Sequence, residues 1–348
     1  GVPELKTVVI RLVPGWGTRL ATLQAGDADM IDYEPAFAAQ IDPMVKTIVD
    51  NDTGEEIEHN PNGILRMYRN LPATSTTDMF FNFAINIEGG NSWIGSGQLD
   101  GQGIPPDFFA DEHVRKAFNY CFDRETFIQD VRQGDAIPHR GPIIAGMPGY
   151  EEDSFIYPYD LAACEEEFKQ AFDGQLWETG FLITLVHNTG NDSRRIAMEI
   201  LKTNIESVNP NFQVIVANMP WNTYLAERRA GRFPLHATGW IEDYHHPNNW
   251  VVPYMSCNGD FSGSQGFPPE MCEPWDELIY EAVREQDPEA AHQMYAQLQA
   301  EAMENAIDIF GYQDIDRDYM QNWVQGYYYT PAFGNSAPYY AVLSKVAP

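Results

Sequence analysis

The sequence predicts an α/β fold with a largely parallel sheet. Two observations carry this prediction: apolar, strand-like runs alternate with segments of helical periodicity through the middle of the chain, and short polar turns separate them. Strands that alternate with helices of this length form βαβ units, whose strands run parallel. The alternation is a strand at 181–187, a helix at 193–208, a strand at 212–217, a helix at 222–230 and a strand at 234–240.

The flanking segments extend this pattern. Residues 88–106 are rich in glycine and proline, which favours an irregular connection, and we expect this stretch to cross between two lobes. Strands are expected at 8–13, in ADMIDYEP up to Glu34, and at 77–85; helices are expected at 17–26, from Asp111 through EHVRKAFNYCF, and at 124–132, 160–172, 275–285 and 288–305. The end of the chain, NWVQGYYYTPAFGNSAPYYAVLSKV, is aromatic, strand-like and rich in turn residues.

Composition narrows the functional class. The 348 residues include 51 acidic and 21 basic side chains, for a formal net charge of −30. Such a charge repels nucleic acids and anionic membrane surfaces, so neither is an expected partner. No apolar run approaches the roughly 20 residues that cross a bilayer. We therefore expect a soluble, globular chain.

The four cysteines are too few for a disulfide scaffold. Cys257 and Cys272 flank a loop rich in glycine, serine and proline, and a bridge there would contribute roughly 3 kcal/mol by restricting the unfolded chain. Cys121 and Cys164 fall in predicted helices, where buried free thiols are the usual state. The expected pairing is thus a possible disulfide between Cys257 and Cys272.

The most informative stretch is 221–247, WNTYLAERRAGRFPLHATGWIEDYHHP. It predicts a helix, a turn at Gly231 and a short strand, followed by Trp240, Asp243 and Tyr244. Ligands of open α/β sheets bind outside the carboxyl ends of strands. A carboxylate there can accept hydrogen bonds from an amine, while indole and phenol rings pack on a small solute. The competing interpretation is a core tryptophan followed by a polar surface loop.

Metal-dependent and carbohydrate-active enzymes are weaker alternatives. His236, His245 and His246 lie near Asp243 in sequence, but no HxH or HxxxH spacing brings two rings to one ion. The acidic runs at 151–153 and 165–167 are typical of solvated faces rather than of two separated glycosidase carboxylates. No GxSxG motif, P-loop or GxGxxG lies at a strand-to-helix turn. We therefore expect no catalytic residue, cofactor or metal.

Several segments together resemble family 5 of the ABC-transporter solute-binding proteins, the oligopeptide, dipeptide and nickel class. The resemblance is carried by ATLQAGDADMIDYEP, FFNFAIN, DEHVRKAFNYCFDRETFIQDVRQGDAIP, YDLAACEEEF, GWIEDYHHP and NWVQGYYYTP, which span nearly the whole chain. Members of this family carry roughly 200 further residues upstream, so the chain is similar to their C-terminal part.

The resemblance implies a periplasmic-binding-protein-like fold of class II type, in which two lobes joined by two crossings close on a ligand in the cleft. On this basis we expect lobe 1 to include residues 1–105, lobe 2 to span 106–318 and the chain to return to lobe 1 at 319–348. The implied function is an extracytoplasmic receptor, located in the periplasm or lipid-anchored outside the cell membrane. It is expected to be a monomer and to deliver a di- or oligopeptide to a membrane permease. An oligosaccharide is the alternative solute.

The resemblance also implies site residues. Asp243 matches the residue that holds the ligand ammonium, Arg228 an arginine that can meet the ligand carboxylate, and Trp221 a pocket-lining tryptophan. Trp240 is retained, and Tyr244 completes the predicted binding set. The chain departs from the oligopeptide pattern at Ala237, where those proteins carry a second carboxylate-binding arginine. At this position the chain therefore lacks a side chain that could bind a peptide carboxylate.

Overall fold

The computed structural model describes residues 3–13, 15–331 and 339–347, and it has a mixed α/β fold. The helices are α1 (Trp16–Ala25), α2 (Ala38–Ile41), α3 (Glu112–Tyr120), α4 (Arg124–Thr126), α5 (Leu161–Gln170), α6 (Gln175–Thr179), α7 (Asp192–Val208), α8 (Trp221–Arg229), α9 (Asn248–Met255), α10 (Ser262–Gln265), α11 (Pro269–Ala282) and α12 (Pro288–Glu304). The strands are β1 (Val45–Asp50), β2 (Glu56–Glu58), β3 (Leu65–Phe81), β4 (Ala136–Pro138), β5 (Phe181–Asn188), β6 (Phe212–Met219), β7 (Leu235–Thr238), β8 (Asp308–Gln321), β9 (Val324–Gln325) and β10 (Ser344–Lys345).

Two compact units divide the chain. Unit 1 comprises Gly1–Ser75, Ile128–Ile137 and Asp314–Pro348, and unit 2 comprises Thr76–Phe127 and Pro138–Gln313. The chain changes unit within β3, on either side of 128–137, and again within β8. These boundaries differ from the predicted ones at 105 and 318 and give four changes of unit instead of two.

The expected crossing at 88–106 instead folds back inside unit 2. The Ile85 amide donates to the Pro106 carbonyl at 2.8 Å, and the Asn91 side chain donates to the Arg232 carbonyl at 2.7 Å. Gly95 and Gly103 form an isolated antiparallel bridge, and a side chain on Gly95 would meet the backbone of Gln102. Glycine is thus used here to let two backbone segments approach closely, rather than to link lobes.

Unit 1 is built around β1, which pairs antiparallel with β2 and parallel with the first half of β3. Its core packs α1 against these strands, and its buried residues are Leu23, Ile41, Val45, Leu65, Met67 and Tyr319. The expected strand at 8–13 is absent: the segment lies outside any strand, and Leu12 is 94% exposed. Apolar alternation alone was therefore not sufficient to predict a paired strand here.

The C-terminal segment of unit 1 contains the short antiparallel pair β9–β10. This agrees with the strand-like character expected there, although residues 332–338 lie outside the described residues. The long strand β8 was not predicted, because its C-terminal part, QDIDRDYMQ, is too polar to be recognised as a strand by composition.

Unit 2 contains the predicted alternation of strands and helices. β5 pairs parallel with β6 over eight residues and parallel with β7, while β7 pairs antiparallel with the last residues of β3. The sheet is therefore mixed, with the parallel strands β7, β5 and β6 at one end of the strand order. The N-terminal residues of β5 and β6 anchor an aromatic cluster with the neighbouring helices, formed by Phe108, Phe109, Phe118, Phe168, Phe181 and Phe212.

Unit 2 also holds two disulfides. Cys257 and Cys272 are bridged, as the sequence suggested. Cys121 and Cys164 are bridged as well, which corrects the expectation of two free thiols. The correction has a simple cause: α3 and α5 pack side by side, and this packing brings the two Cα atoms to 5.5 Å, within the range that a disulfide spans.

Among the described residues, no helix is both long and apolar enough to cross a bilayer.

Candidate functional site

The candidate site lies in unit 2, where three parallel strands end. Arg194 follows β5 in the first turn of α7, Trp221 follows β6 as the first residue of α8, and Trp240 and Asp243 follow β7. Because β7, β5 and β6 are adjacent and parallel, their carboxyl ends meet at one edge of the sheet. This edge is where open α/β sheets bind ligands.

Asp243 presents an exposed carboxylate in the loop between β7 and α9. Its backbone amide donates to Asn249 Oδ1 at 2.8 Å, and Asn249 Nδ2 donates to Asp243 Oδ2 at 3.4 Å. Within the described part of the chain, Asn249 is the one side chain that hydrogen-bonds the Asp243 carboxylate. The carboxylate is therefore oriented from one side and open to a further donor.

Asn249 also orients Trp240, whose indole Nε1 donates to Asn249 Oδ1 at 3.3 Å. Asn249 is 6% exposed and lies in the first turn of α9. Sequence reasoning missed this residue. The sequence feature that could have indicated Asn249 was its position six residues after Asp243, at the beginning of a helix.

Trp240 and Tyr244 give this loop an apolar surface. The Trp240 ring is half-buried and packs edge-on against Phe261, with ring centroids 5.7 Å apart. Tyr244 is 52% exposed, and its hydroxyl accepts a hydrogen bond from Asn248 Nδ2 at 3.2 Å. Asp243, which could hold a ligand amine, is thus close in sequence to two aromatic residues whose rings can pack on the rest of a solute.

Trp221 is 43% exposed and stacks on Tyr224, with centroids 5.6 Å apart and an interplanar angle of 17°. Tyr224 is fully buried, and its hydroxyl donates to the carbonyl of Ala237 at 2.6 Å. Burial raises the pKa of the Tyr224 phenol, so it stays protonated as a donor. This bond fixes α8, and hence Trp221, relative to β7.

Arg228 is 3% exposed and is already paired within unit 2. Its Nη2 lies 2.7 Å from Asp260 Oδ2, Nη1 donates to the Asp260 carbonyl at 2.9 Å, and its guanidinium carbon lies 5.2 Å from the centroid of the Phe261 ring. A ligand carboxylate would have to compete with Asp260 for this guanidinium. Arg228 and Trp240 thus both contact Phe261, with Arg228 buried and Trp240 half-buried.

The three histidines considered as metal ligands have separate environments. His236 is 3% exposed and stacks on Phe80, and burial lowers its pKa well below the usual value, so it is a neutral core residue. His245 Nδ1 lies 3.1 Å from Glu242 Oε1, and His246 Nδ1 accepts the Asn248 amide at 3.1 Å. In the residues described, no three His, Cys, Asp or Glu side chains are grouped so that they could hold a metal ion.

Asp123 and Arg124 lie in the segment DEHVRKAFNYCFDRETFIQDVRQGDAIP, which carries part of the family resemblance, and they have a structural role inside unit 2. The Asp123 side chain accepts the Thr126 amide at 3.0 Å, which caps α4. Arg124 is 6% exposed and donates to the carbonyls of Phe310 and Tyr157. The motif therefore marks a buried scaffold rather than a ligand contact.

Comparisons with known proteins agree with this fold. The family model for "Bacterial extracellular solute-binding proteins, family 5 Middle" matches residues 1–262. The periplasmic oligopeptide-binding protein OppA of Salmonella typhimurium is 23% identical over 222 residues, which cover 63% of this chain and 40% of that protein. Heme-binding protein A of Haemophilus influenzae is 22% identical over 299 residues, or 86% of this chain and 47% of that protein.

Among solved structures, the periplasmic binding protein DppA from Helicobacter pylori in complex with the peptide STSA superposes with a TM-score of 0.73 at 16% identity. The match covers 96% of this chain and 56% of that one. Each of these matches covers only 40–56% of the relative's own length. Since the family model matches three quarters of the sequence, the chain belongs to the bacterial extracellular solute-binding proteins of family 5.

Proposed function

We infer that this chain is part of an extracytoplasmic receptor of an ABC importer, and that it binds a di- or oligopeptide for delivery to a membrane permease. The observation that carries the proposal is Asp243: an exposed carboxylate, held by Asn249, at the carboxyl ends of parallel strands in a solute-binding family. The names of relatives that bind oligopeptides, and the STSA complex of a structural neighbour, support a peptide as the solute class.

In this proposal Asp243 accepts charge-assisted hydrogen bonds from the ligand ammonium. Trp240 and Tyr244 pack against the residues nearest that ammonium, and Trp221 lines a pocket for a side chain. Arg228 contributes indirectly, because its pairing with Asp260 keeps Phe261 and hence Trp240 in place. Binding and release by such a receptor involve no covalent step, and the family and the relatives above are named as binding proteins.

Native mass spectrometry of the freshly purified chain tests the solute class, because tight solutes copurify. We expect adducts of a few amino-acid residues in mass, which fragment into peptide ions. Adducts that fragment into hexose units would contradict the peptide proposal in favour of an oligosaccharide. Turnover of added peptides or glycans would contradict the receptor function itself.

A further inference from the structure

Arg194 is a cation at the strand-end edge that the family motifs did not mark. It lies half-buried in the first turn of α7, directly after β5. Its Nη1 donates to Asn188 Oδ1 at 2.8 Å, and its guanidinium carbon lies 5.9 Å from the centroid of the Trp221 ring. Arg194 is thus placed beside a predicted pocket residue and against an aromatic face.

The charge of Arg194 is not compensated. Its neighbour Arg195 pairs with Asp192 at 3.0 Å, Arg228 pairs with Asp260 at 2.7 Å, and Arg232 pairs with Glu227 at 3.0 Å. No carboxylate of the described residues lies within ion-pairing distance of Arg194, although the chain carries 51 acidic residues. A half-buried guanidinium that lacks an anion favours binding of one from outside.

The two positions at which the resemblance predicted an arginine for the ligand carboxylate cannot bind it here. Ala237 has no charge and is 1% exposed in β7, and Arg228 is buried and paired with Asp260. Asn188 uses a single N–H of Arg194, so further donors of the planar guanidinium remain for a carboxylate, which accepts two in parallel. Asp243 and Arg194 follow adjacent parallel strands, β7 and β5, so their opposite charges flank the same edge.

The geometry points to Arg194 as a specificity-determining residue that receives the carboxylate of the ligand, with the preceding ligand side chain packed on Trp221. This inference rests on the proposed function and deepens it. The polarity of the bound peptide then follows: its ammonium lies beyond the end of β7, at Asp243, and its carboxylate lies beyond the end of β5, at Arg194. A peptide whose C terminus is neutral loses the second contact.

Calorimetric titration with two peptide pools tests this assignment. One pool contains di- to pentapeptides with free carboxylates, and the other contains the same peptides as C-terminal amides. We expect the wild-type chain to bind the free-acid pool at least tenfold more tightly, and Arg194→Gln to bind both pools equally. Arg195→Gln is the matched control and should keep the wild-type preference; Arg194→Lys keeps the charge and should keep part of it.

The outcomes separate the two ideas. If Arg194→Gln retains the full preference for the free acid, or if the wild type binds acids and amides equally, the assignment of Arg194 is wrong while the peptide receptor stands. If the wild type binds neither pool, the proposed function itself is contradicted. Circular dichroism of each variant establishes that it is folded before titration, and the Lys variant provides the charge-retaining comparison if Gln disturbs α7.

Discussion

Asp260 neutralises Arg228 from within unit 2, with Oδ2 2.7 Å from Nη2 and the backbone carbonyl 2.9 Å from Nη1. The arginine that the sequence assigned to a ligand carboxylate is therefore a buried structural cation. Its side chain is 2% exposed, whereas that of Asp260 is 38% exposed. The pair thus has one buried partner and one that reaches solvent.

Asp260→Asn should destabilise the chain more than Arg228→Met does. The first change leaves a buried guanidinium without its anion, and we expect a loss of about 2–4 kcal/mol, less than for a fully buried pair because Asp260 is partly solvated. Arg228→Met removes the charge and keeps much of the apolar contact with Phe261. Urea denaturation of both variants and of the double variant measures the difference; equal losses for the two single variants would contradict the asymmetry.

Asn249→Ala should weaken ligand binding, although Asn249 itself is not expected to contact the ligand. Asn249 joins the Asp243 amide to the Trp240 indole, so its removal frees both residues from one orientation. We expect a loss of about 1–2 kcal/mol in binding free energy, the range of one or two hydrogen bonds. Asn248→Ala, which removes only the bond to the Tyr244 hydroxyl, is the control. A smaller effect at position 249 than at 248 would contradict the proposed arrangement.

The two disulfides should contribute unequally to stability. They close loops with sequence separations of 43 and 15 residues, so the chain-entropy model gives about 4 kcal/mol for Cys121–Cys164 and about 3 kcal/mol for Cys257–Cys272. Replacing each pair by alanines and measuring denaturant unfolding checks the order. A larger loss at Cys257–Cys272 would indicate that strain or residual structure outweighs loop length.

Asp308 should make stability fall as pH rises. Burial and the nearby Asp78 raise the pKa of Asp308 well above its ordinary value, while the hydrogen bonds from Gln265 and the Phe81 amide and the charge of Arg115 act in the opposite direction. The Gln265 amide donates to Asp308 Oδ1 at 2.6 Å, and among the described residues Asp308 Oδ2 has no hydrogen-bond partner.

A folded pKa above the unfolded one means that the folded state retains a proton that the unfolded chain releases near pH 4. The stabilisation is complete below the unfolded pKa and is lost as pH rises to the folded pKa. Asp308→Asn should make this slope shallower, since the raised pKa of Asp316 contributes a slope of the same sign, and should raise stability by about 1–3 kcal/mol at pH 8. Asp153→Asn, an exposed change of the same charge, should leave the slope intact. An unchanged slope in Asp308→Asn would contradict a retained proton.

The local parts of the fold were predictable because each rests on a short-range pattern. The alternation of strands and helices from β5 to β7 follows from the periodicity of apolar residues. Helix α8 begins within one residue of its predicted start, because the helical periodicity and the terminating Gly231 lie next to each other in the sequence. Placing Trp221, Trp240 and Asp243 at strand ends needed only this alternation. Assigning them to ligand binding needed the family resemblance.

The remaining features depend on contacts that are distant in sequence. Asp260 lies 32 residues from Arg228, and Cys164 lies 43 residues from Cys121, so neither pairing has a local signal. The stretch 88–106 was expected to cross between lobes because Gly/Pro-rich composition marks an irregular loop without indicating what that loop contacts. Arg194 was overlooked for a similar reason: only the structure reveals that, among the described residues, neighbouring arginines have carboxylate partners and Arg194 has none.

The central claim is that Asp243 holds the ligand ammonium, and calorimetric titration of the wild type and Asp243→Asn with a peptide pool tests it most directly. The account predicts that the Asn variant loses about 2–5 kcal/mol of binding free energy for peptides with free amino termini. It also predicts that N-acetylated peptides bind both proteins equally weakly. Unchanged affinity of Asp243→Asn for free peptides would contradict the claim.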